Sequence, residues 1–337
     1  MGKIRFGVIG TNFISDWVIE GARQDDRFEL TAVCSRSMET GRRFAEKHNI
    51  AHVFTSVEEM AASDCVDAVY VASPNFMHAS QSIICMSHGK HVLCEKPLAS
   101  NAAEAREMIS ASERYGVTLM EAMKPTMTPN FKVLRDNLKR LGVVRRYAAA
   151  YCQYSSRYDK YKAGELPNAF NPELSNGAIM DIGIYTIYPM VVLFGKPKKV
   201  VASGLLLPSG ADGQGTAIFS YDGLDASVIY SKIADSKLRS EIQGEAGLLS
   251  IDAINRMADI KYVAHAANLG GRMADAAVED LSVAPEHNEY YYEVAEFISL
   301  IENGKIESEI NSHANSLATL EVIDEIRRQI GVVFPAD

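Results

Sequence analysis

Lys96 stands in the stretch VLCEKPL (92–98), where an apolar run ends and a glutamate, a lysine and a proline follow at once. Ligands of open α/β sheets bind outside the carboxyl ends of the strands. An ammonium group there can polarise a substrate oxygen or favour the ionised form of a neighbouring acid. Pro97 restricts the backbone beside it. The plainer alternative is a solvated lysine at a strand edge. A second stretch, GAIMDIGIYTIYP (177–189), sets Asp181 and Tyr185 four residues apart, hence on one face of a helix. A carboxylate and a phenol within such an apolar helix are costly to bury unless they have partners or line a site. Tyr188, nearby, reads as a core tyrosine. Alcohol oxidation needs a hydride acceptor and a base for the hydroxyl proton. A tyrosine, with an ordinary pKa of ~10, becomes such a base when a lysine ammonium stabilises its phenolate. Lys96 and Tyr185 have the chemistry of that relay, and Asp181 that of a group orienting the substrate or the lysine.

The hydride acceptor has its own signals. GVIGTNFIS places Gly10, Asn12 and Ser15 at the G-x-G-x-x-G/A spacing of a dinucleotide fingerprint. Thr11, Phe13 and Ile14 complete the loop and open the helix. Asn12 replaces the second glycine. Asparagine tolerates positive φ better than most residues, so the turn can form with its side chain turned from the phosphates. The fingerprint is degenerate, and alone it does not distinguish this site from an ordinary βα turn. Its place directly after the first strand favours the site. The next strand ends in CSRS (34–37), with no acidic residue at 34–38 to bind both ribose hydroxyls. Ser35, Arg36 and Ser37 suit a 2′-phosphate, which points to NADP, with NAD the alternative. SPNFMH (73–78) ends another strand; Asn75 and His78 are polar groups suited to the nicotinamide half, and Ser73 joins them as a cofactor-binding candidate.

These residues need a scaffold, and the apolar rhythm supplies one. Strands are expected at 4–9, 29–34, 67–72, 90–94 and 117–120, with helices near 13–24, 38–48, 57–62, 76–88 and 101–114. Ser56 with Glu59, and Asn101 with Glu104, have the spacing of helix N-terminal caps. Apolar strands alternating with helices mean a parallel sheet covered on both faces, the doubly wound (Rossmann) pattern. Beyond 122 the rhythm changes. A helix at 127–140, a strand at 143–152, an irregular Tyr/Asn/Pro-rich segment at 153–176 and a helix near 177–194 precede strand-like runs at 198–207, 215–221, 225–233, 238–243, 247–252 and 259–264. Helices near 288–302 and 312–329 follow. The expected organisation is a dinucleotide-binding domain, 1–122, and an α+β substrate-binding and oligomerisation domain, 123–337, with an open, largely antiparallel sheet. Residues Tyr154, Arg157, Tyr158, Lys162 and Asn168 of the irregular segment are candidates for the substrate pocket.

Composition agrees with an ordinary globular enzyme. The 337 residues are 47% apolar and 23% charged, with net charge −9. No basic stretch suggests nucleic acid or an anionic membrane surface, and no apolar window is long enough to span a bilayer. No leader pattern is visible at the start, and five scattered cysteines without a Cys-x-x-Cys pair read as reduced thiols of a cytoplasmic protein. No metal-ligand spacing is visible; His88 and His91 read as surface residues before a strand.

CEKPL and GAIMDIGIY together resemble the two signatures of the glucose–fructose oxidoreductase / inositol dehydrogenase (Gfo/Idh/MocA) family. The resemblance covers nearly the whole chain. It implies that Lys96 and Tyr185 flank the nicotinamide with Asp181 beside them, that Glu95, Asn75 and His78 line the cofactor, and that the Lys96–Pro97 bond is cis. Tyr185, where many members have histidine, is similar to the branch containing dimeric dihydrodiol dehydrogenase. Asn12, and Asn176 where a glycine is common, depart from the pattern. The resemblance further implies a polyhydroxylated or vicinal-diol substrate and a homodimer or higher homo-oligomer formed through the second sheet. Two other readings share the fold: a redox-assisted glycosidase that keeps its cofactor bound, and a non-enzymatic dinucleotide-sensing regulator. Retention of both Lys96 and Tyr185 argues against the regulator, which needs no proton relay.

Overall fold

The computed structural model describes residues 2–265 and 277–337. Within these residues two compact units can be distinguished, one running to Lys124 and taking in Glu286–Leu320 and Ala336, the other running from Pro125 to Pro285 and taking in Glu321–Pro335 and Asp337. The boundary read from the rhythm, after 122, lies near the first crossing. The return of the chain at Glu286 has no counterpart in that rhythm, because the final helices look alike whichever unit they cover.

The first unit begins β1 (Ile4–Ile9), α1 (Phe13–Ala22), β2 (Phe28–Cys34), α2 (Met38–His48), β3 (His52–Phe54) and α3 (Val57–Ala62). It continues β4 (Ala68–Val71), α4 (His78–Ser87), β5 (His91–Glu95), α5 (Ala102–Tyr115) and β6 (Leu119–Ala122). The six strands are parallel in the order β3-β2-β1-β4-β5-β6. This is the doubly wound dinucleotide-binding order, whose switch point lies between β1 and β4. Every residue of β4 and β6 is buried, as strands covered on both faces require. Ser56 and Asn101 cap α3 and α5 by accepting the amides of Glu59 and Glu104, as their spacing predicts. β3 was not foreseen; three residues are too few to show a period.

In the second unit α6 (Pro129–Asn137), β7 (Val144–Cys152), α7 (Tyr158–Lys162) and α8 (Ile184–Phe194) precede a run of strands. These are β8 (Lys199–Leu206), β9 (Asp212–Ser220), β10 (Asp225–Ser231), β11 (Ser240–Gly244), β12 (Gly247–Ala253), β13 (Ala258–Ala264) and β14 (Val278–Asp280). The eight-stranded sheet runs β14-β13-β12-β11-β7-β10-β9-β8. It is antiparallel except for β7 beside β10. β7 enters the sheet ahead of α8, and a parallel neighbour needs such a long crossover. The chain ends with α9 (Tyr291–Glu302) and α10 (His313–Ile330). α9 completes the core of the first unit: Phe6 packs on Phe28 at 4.8 Å and on Phe297 at 6.0 Å.

Candidate active site

In the first unit the turn after β1 is built around Gly10. Its φ is +104°, and a Cβ there would lie 2.5 Å from the Ala72 carbonyl oxygen. Only glycine fits both conditions. Asn12, by contrast, is extended, with φ −94°. The expected need for positive φ therefore falls on Gly10 alone. Asn12 caps α1, its Oδ1 accepting the Ile14 amide at 2.8 Å. Ser15 is fully buried and its hydroxyl donates to the Gly10 carbonyl at 2.9 Å, which draws the helix start onto the loop. Phe13 is half exposed. The Ser73 hydroxyl, beside Gly10, is buried without a hydrogen-bond partner among the described residues. A glycine cradle, a helix N-terminus and an orphan hydroxyl fit a dinucleotide phosphate. At the tip of β2, Ser35 is buried and Arg36 exposed. The Ser37 hydroxyl is already engaged in capping α2, accepting the Thr40 amide and donating to the Thr40 hydroxyl.

The Lys96–Pro97 bond is cis. The half-buried Lys96 rises from a buried polar frame. Glu95 points inward, accepting the Tyr70 hydroxyl at 2.5 Å and the Lys96 amide at 3.2 Å. Burial pushes its carboxyl above the ordinary range. His78 is 1% exposed, with its two ring nitrogens 2.8 Å from the Pro97 carbonyl and 2.9 Å from that of Ser73. Burial lowers its pKa. The neutral ring donates to one carbonyl at a time, so it ties the loop after β4 to the turn after β5. Asn75, one turn earlier, is buried. Leu98 donates its amide to Glu121 at 3.0 Å, and burial pushes the Glu121 carboxyl up to about 7. Tyr70 and Glu121 were missed. Glu121 had a signal, a lone acid inside the buried strand VTLMEAM. His91, expected at the surface, is half-buried and accepts the Thr118 amide at 2.9 Å.

In the second unit Asp181 and Tyr185 are the only residues of 177–190 that are not buried. Ile179–Gly183 forms a π-turn that leads into α8, a feature frequent at functional sites. Two local causes shape it. Asp212, fully buried at the start of β9, accepts the Ile179 amide at 2.8 Å, and a Cβ on Gly177 would collide with that carboxylate. Burial pushes Asp212 up to about 6. Farther along, Pro189 has no amide for the Tyr185 carbonyl, while the buried Tyr147 hydroxyl donates to the Thr186 carbonyl at 2.8 Å. The Tyr185 ring meets Tyr151 edge-on at 5.8 Å.

The Asp181 carboxylate is ion-paired with Lys232, just past β10. The lysine side chain is 6% exposed and the aspartate 37%. Neither Lys232 nor Tyr151 was singled out from the sequence. The segment 153–176 packs Phe170 against Tyr158 at 5.5 Å and Tyr161 at 5.3 Å, in a small core shared with Leu207 and Ile233. Tyr154 and Lys162 both engage Asp159, Arg157 immediately precedes the short α7, and Asn168 begins a 3₁₀ turn.

Comparison with known proteins follows the same division. Residues 4–123 match a family described as an oxidoreductase family with an NAD-binding Rossmann fold, and residues 137–250 match the GFO/IDH/MocA C-terminal domain. The chain belongs to the Gfo/Idh/MocA family. As a member, it is an oxidoreductase. It is 52% identical over 334 residues, 99% of both chains, to the scyllo-inositol 2-dehydrogenase (NADP(+)) IolU of Bacillus subtilis. It is 29% identical over 324 residues, 91% of both, to the trans-1,2-dihydrobenzene-1,2-diol dehydrogenase of Xenopus tropicalis. The fold is shared with the 3-ketoreductase KijD10 of Actinomadura kijaniata, solved with NADP and TDP-benzene, at a TM-score of 0.84, 23% identity and 98% coverage of both chains.

Proposed function

We propose that this Gfo/Idh/MocA member is an NADP-dependent dehydrogenase of a cyclic polyol or vicinal diol, oxidising one ring hydroxyl to a ketone or reducing that ketone. The observation that carries the reading is the identity of 52%, spread over 99% of the chain, with an NADP-dependent scyllo-inositol dehydrogenase. Gly10, Thr11, Asn12, Phe13 and Ile14, with Ser73, would hold the pyrophosphate, Ser35 and Arg36 the 2′-phosphate, and Asn75 and Lys96 the nicotinamide half, with His78 and Glu95 bracing the loop and turn beneath it. Bound there, the dinucleotide supplies or accepts the hydride. Tyr185 takes the proton from the substrate hydroxyl and returns it in reduction. Lys96 keeps that tyrosine's phenolate accessible near neutral pH and polarises the oxygen. Asp181 accepts a hydrogen bond from a neighbouring hydroxyl and so favours substrates with adjacent OH groups.

The test is turnover of inositols, aldoses and simple diols with each cofactor, followed by cofactor absorbance. scyllo-Inositol with NADP is expected to rank among the best pairs. An Arg36–phosphate bond worth roughly 1.5–3 kcal/mol corresponds to a tenfold to hundredfold preference for NADP, which Arg36→Ala should erase. No turnover with any polyol, or equal affinity for both cofactors in the native protein, overturns the respective part.

We further infer a homo-oligomer in the cytoplasm. On the outer face of the second sheet Val201 lies opposite Ile218, and Leu205 follows four positions on; all three are about half exposed. Such an apolar patch is a natural interface. All five cysteines are free thiols, and among the described residues no helix is long and apolar enough to cross a membrane.

A further inference from the structure

We propose that Lys232 is a positioning residue of the reaction, which holds the Asp181 carboxylate ionised and aimed so that it receives a substrate hydroxyl. The inference deepens the function proposed above and rests on it. A buried lysine is rare unless paired. This one has its stem enclosed and its ammonium at the Asp181 carboxylate. The same ammonium lies 5.5 Å from the centroid of the Phe170 ring, a cation–π contact that helps to hold it.

The backbone of Lys232 is held as firmly. Its amide donates to the Gly213 carbonyl at 2.9 Å, and its carbonyl accepts the Ser155 amide at 2.8 Å. Tyr154 donates its amide to Asp235 at 2.9 Å, so the segment after β7 is clasped to the turn after β10. Lys232 thus joins three pieces at one carboxylate: the turn after β10, the Phe170 core and the π-turn carrying Asp181.

Other titratable groups lie on the elements packed around the pair. Asp212, on β9, feels the Lys232 charge, and Tyr230, on β10, feels the Asp212 charge. Tyr185, on α8, follows the π-turn that carries Asp181. Asp212 is fully buried beneath the Ile179 amide, so the solvent-reaching acid that the Lys232 cation serves is Asp181. An ionised Asp181 accepts hydrogen bonds only. It therefore selects a neutral hydroxyl donor and disfavours a carboxylated analogue of the same ring.

The test compares Lys232→Met, Lys232→Arg, Asp181→Asn and Lys232→Met/Asp181→Asn over a pH series, with scyllo-inositol and NADP. NADP affinity, read from quenching of the single tryptophan, Trp17, reports folding of the cofactor unit. Without its cation Asp181 ionises at a higher pH. In Lys232→Met the acid limb of kcat/KM should therefore move up by about one pH unit, about tenfold in acid-side rate, with NADP affinity kept. Lys232→Arg should restore the limb. On an Asp181→Asn background Lys232→Met should cost less than about twofold, because coupled residues are not additive. If the Met variant does not fold, Lys232→Gln takes its place and must show the same upward move. An unmoved limb, or losses that multiply across the two sites, overturns the inference while leaving polyol oxidation intact. A native enzyme without polyol turnover overturns both.

Discussion

Lys96 and Tyr185 are each a polar interruption of an apolar run, and each can be tested by a single substitution. Lys96→Met and Tyr185→Phe are expected to lower kcat by about 10²–10⁴-fold, the usual contribution of general acid–base groups. NADP affinity should change little, and Tyr185→Phe should also lose the limb of the pH–rate profile that belongs to the base. Steady-state and pH–rate kinetics on purified variants check both; turnover within about tenfold of native would remove the residue from the relay. These positions were legible in the sequence because a charge or hydroxyl inside a buried pattern demands a reason. Lys232 was not. In VIYSK it follows a strand as a solvated turn lysine would, and only the fold brings it to Asp181. Glu95 was read as facing the cofactor, yet its carboxylate is bonded to the Tyr70 hydroxyl and the Lys96 amide. The sequence carries no record of which way a side chain at a strand end turns.

The elements that present these residues were read with uneven success. The helices and strands of the first 120 residues follow the apolar periods closely, since two-sided burial leaves a strong signal. The π-turn ahead of α8 went unread, because one of its two causes is the Asp212 carboxylate, 31 positions beyond Asp181. That cause yields a prediction. Gly177→Ala should push the Asp212 carboxylate off the Ile179 amide and cost about 1–3 kcal/mol, as overpacking of a filled site does. It should also lower kcat more than it raises KM for NADP. Denaturant unfolding and kinetics would test this, and an unchanged midpoint would show that the turn does not need the glycine. The parallel pairing of β7 with β10 was likewise invisible, as strands at hairpin spacing suggest only antiparallel neighbours.

For the molecule as a whole, buried acids set the response to pH. Glu121 is held neutral up to about 7, against an ordinary value of 4.5. Between those values the folded chain keeps a proton that the unfolded chain has lost, so stability falls as pH rises through that window. The loss attributable to this site is about 3 kcal/mol at most. Glu121→Gln should flatten that part of the curve, as urea unfolding at pH 5 and pH 7.5 would show; equal slopes in native and variant would refute it. Glu95, raised by burial, and Asp212, pushed to about 6, act with the same sign. The half-exposed Val201, Leu205 and Ile218 predict at least a dimer by light scattering at micromolar concentration, and Ile218→Asp should weaken it; a monomeric native mass would refute the interface.

The packing of α9 on the first sheet has a consequence for how the protein is made. Phe6 and Phe28, near the start of the chain, wait for Phe297 to complete their cluster, and Arg27 waits for Glu302, its partner at 2.7 Å. A ribosome must therefore deliver nearly the whole polypeptide before the nucleotide-binding unit can close. Until then the nascent chain displays an uncovered apolar sheet face, the kind of surface that chaperones hold.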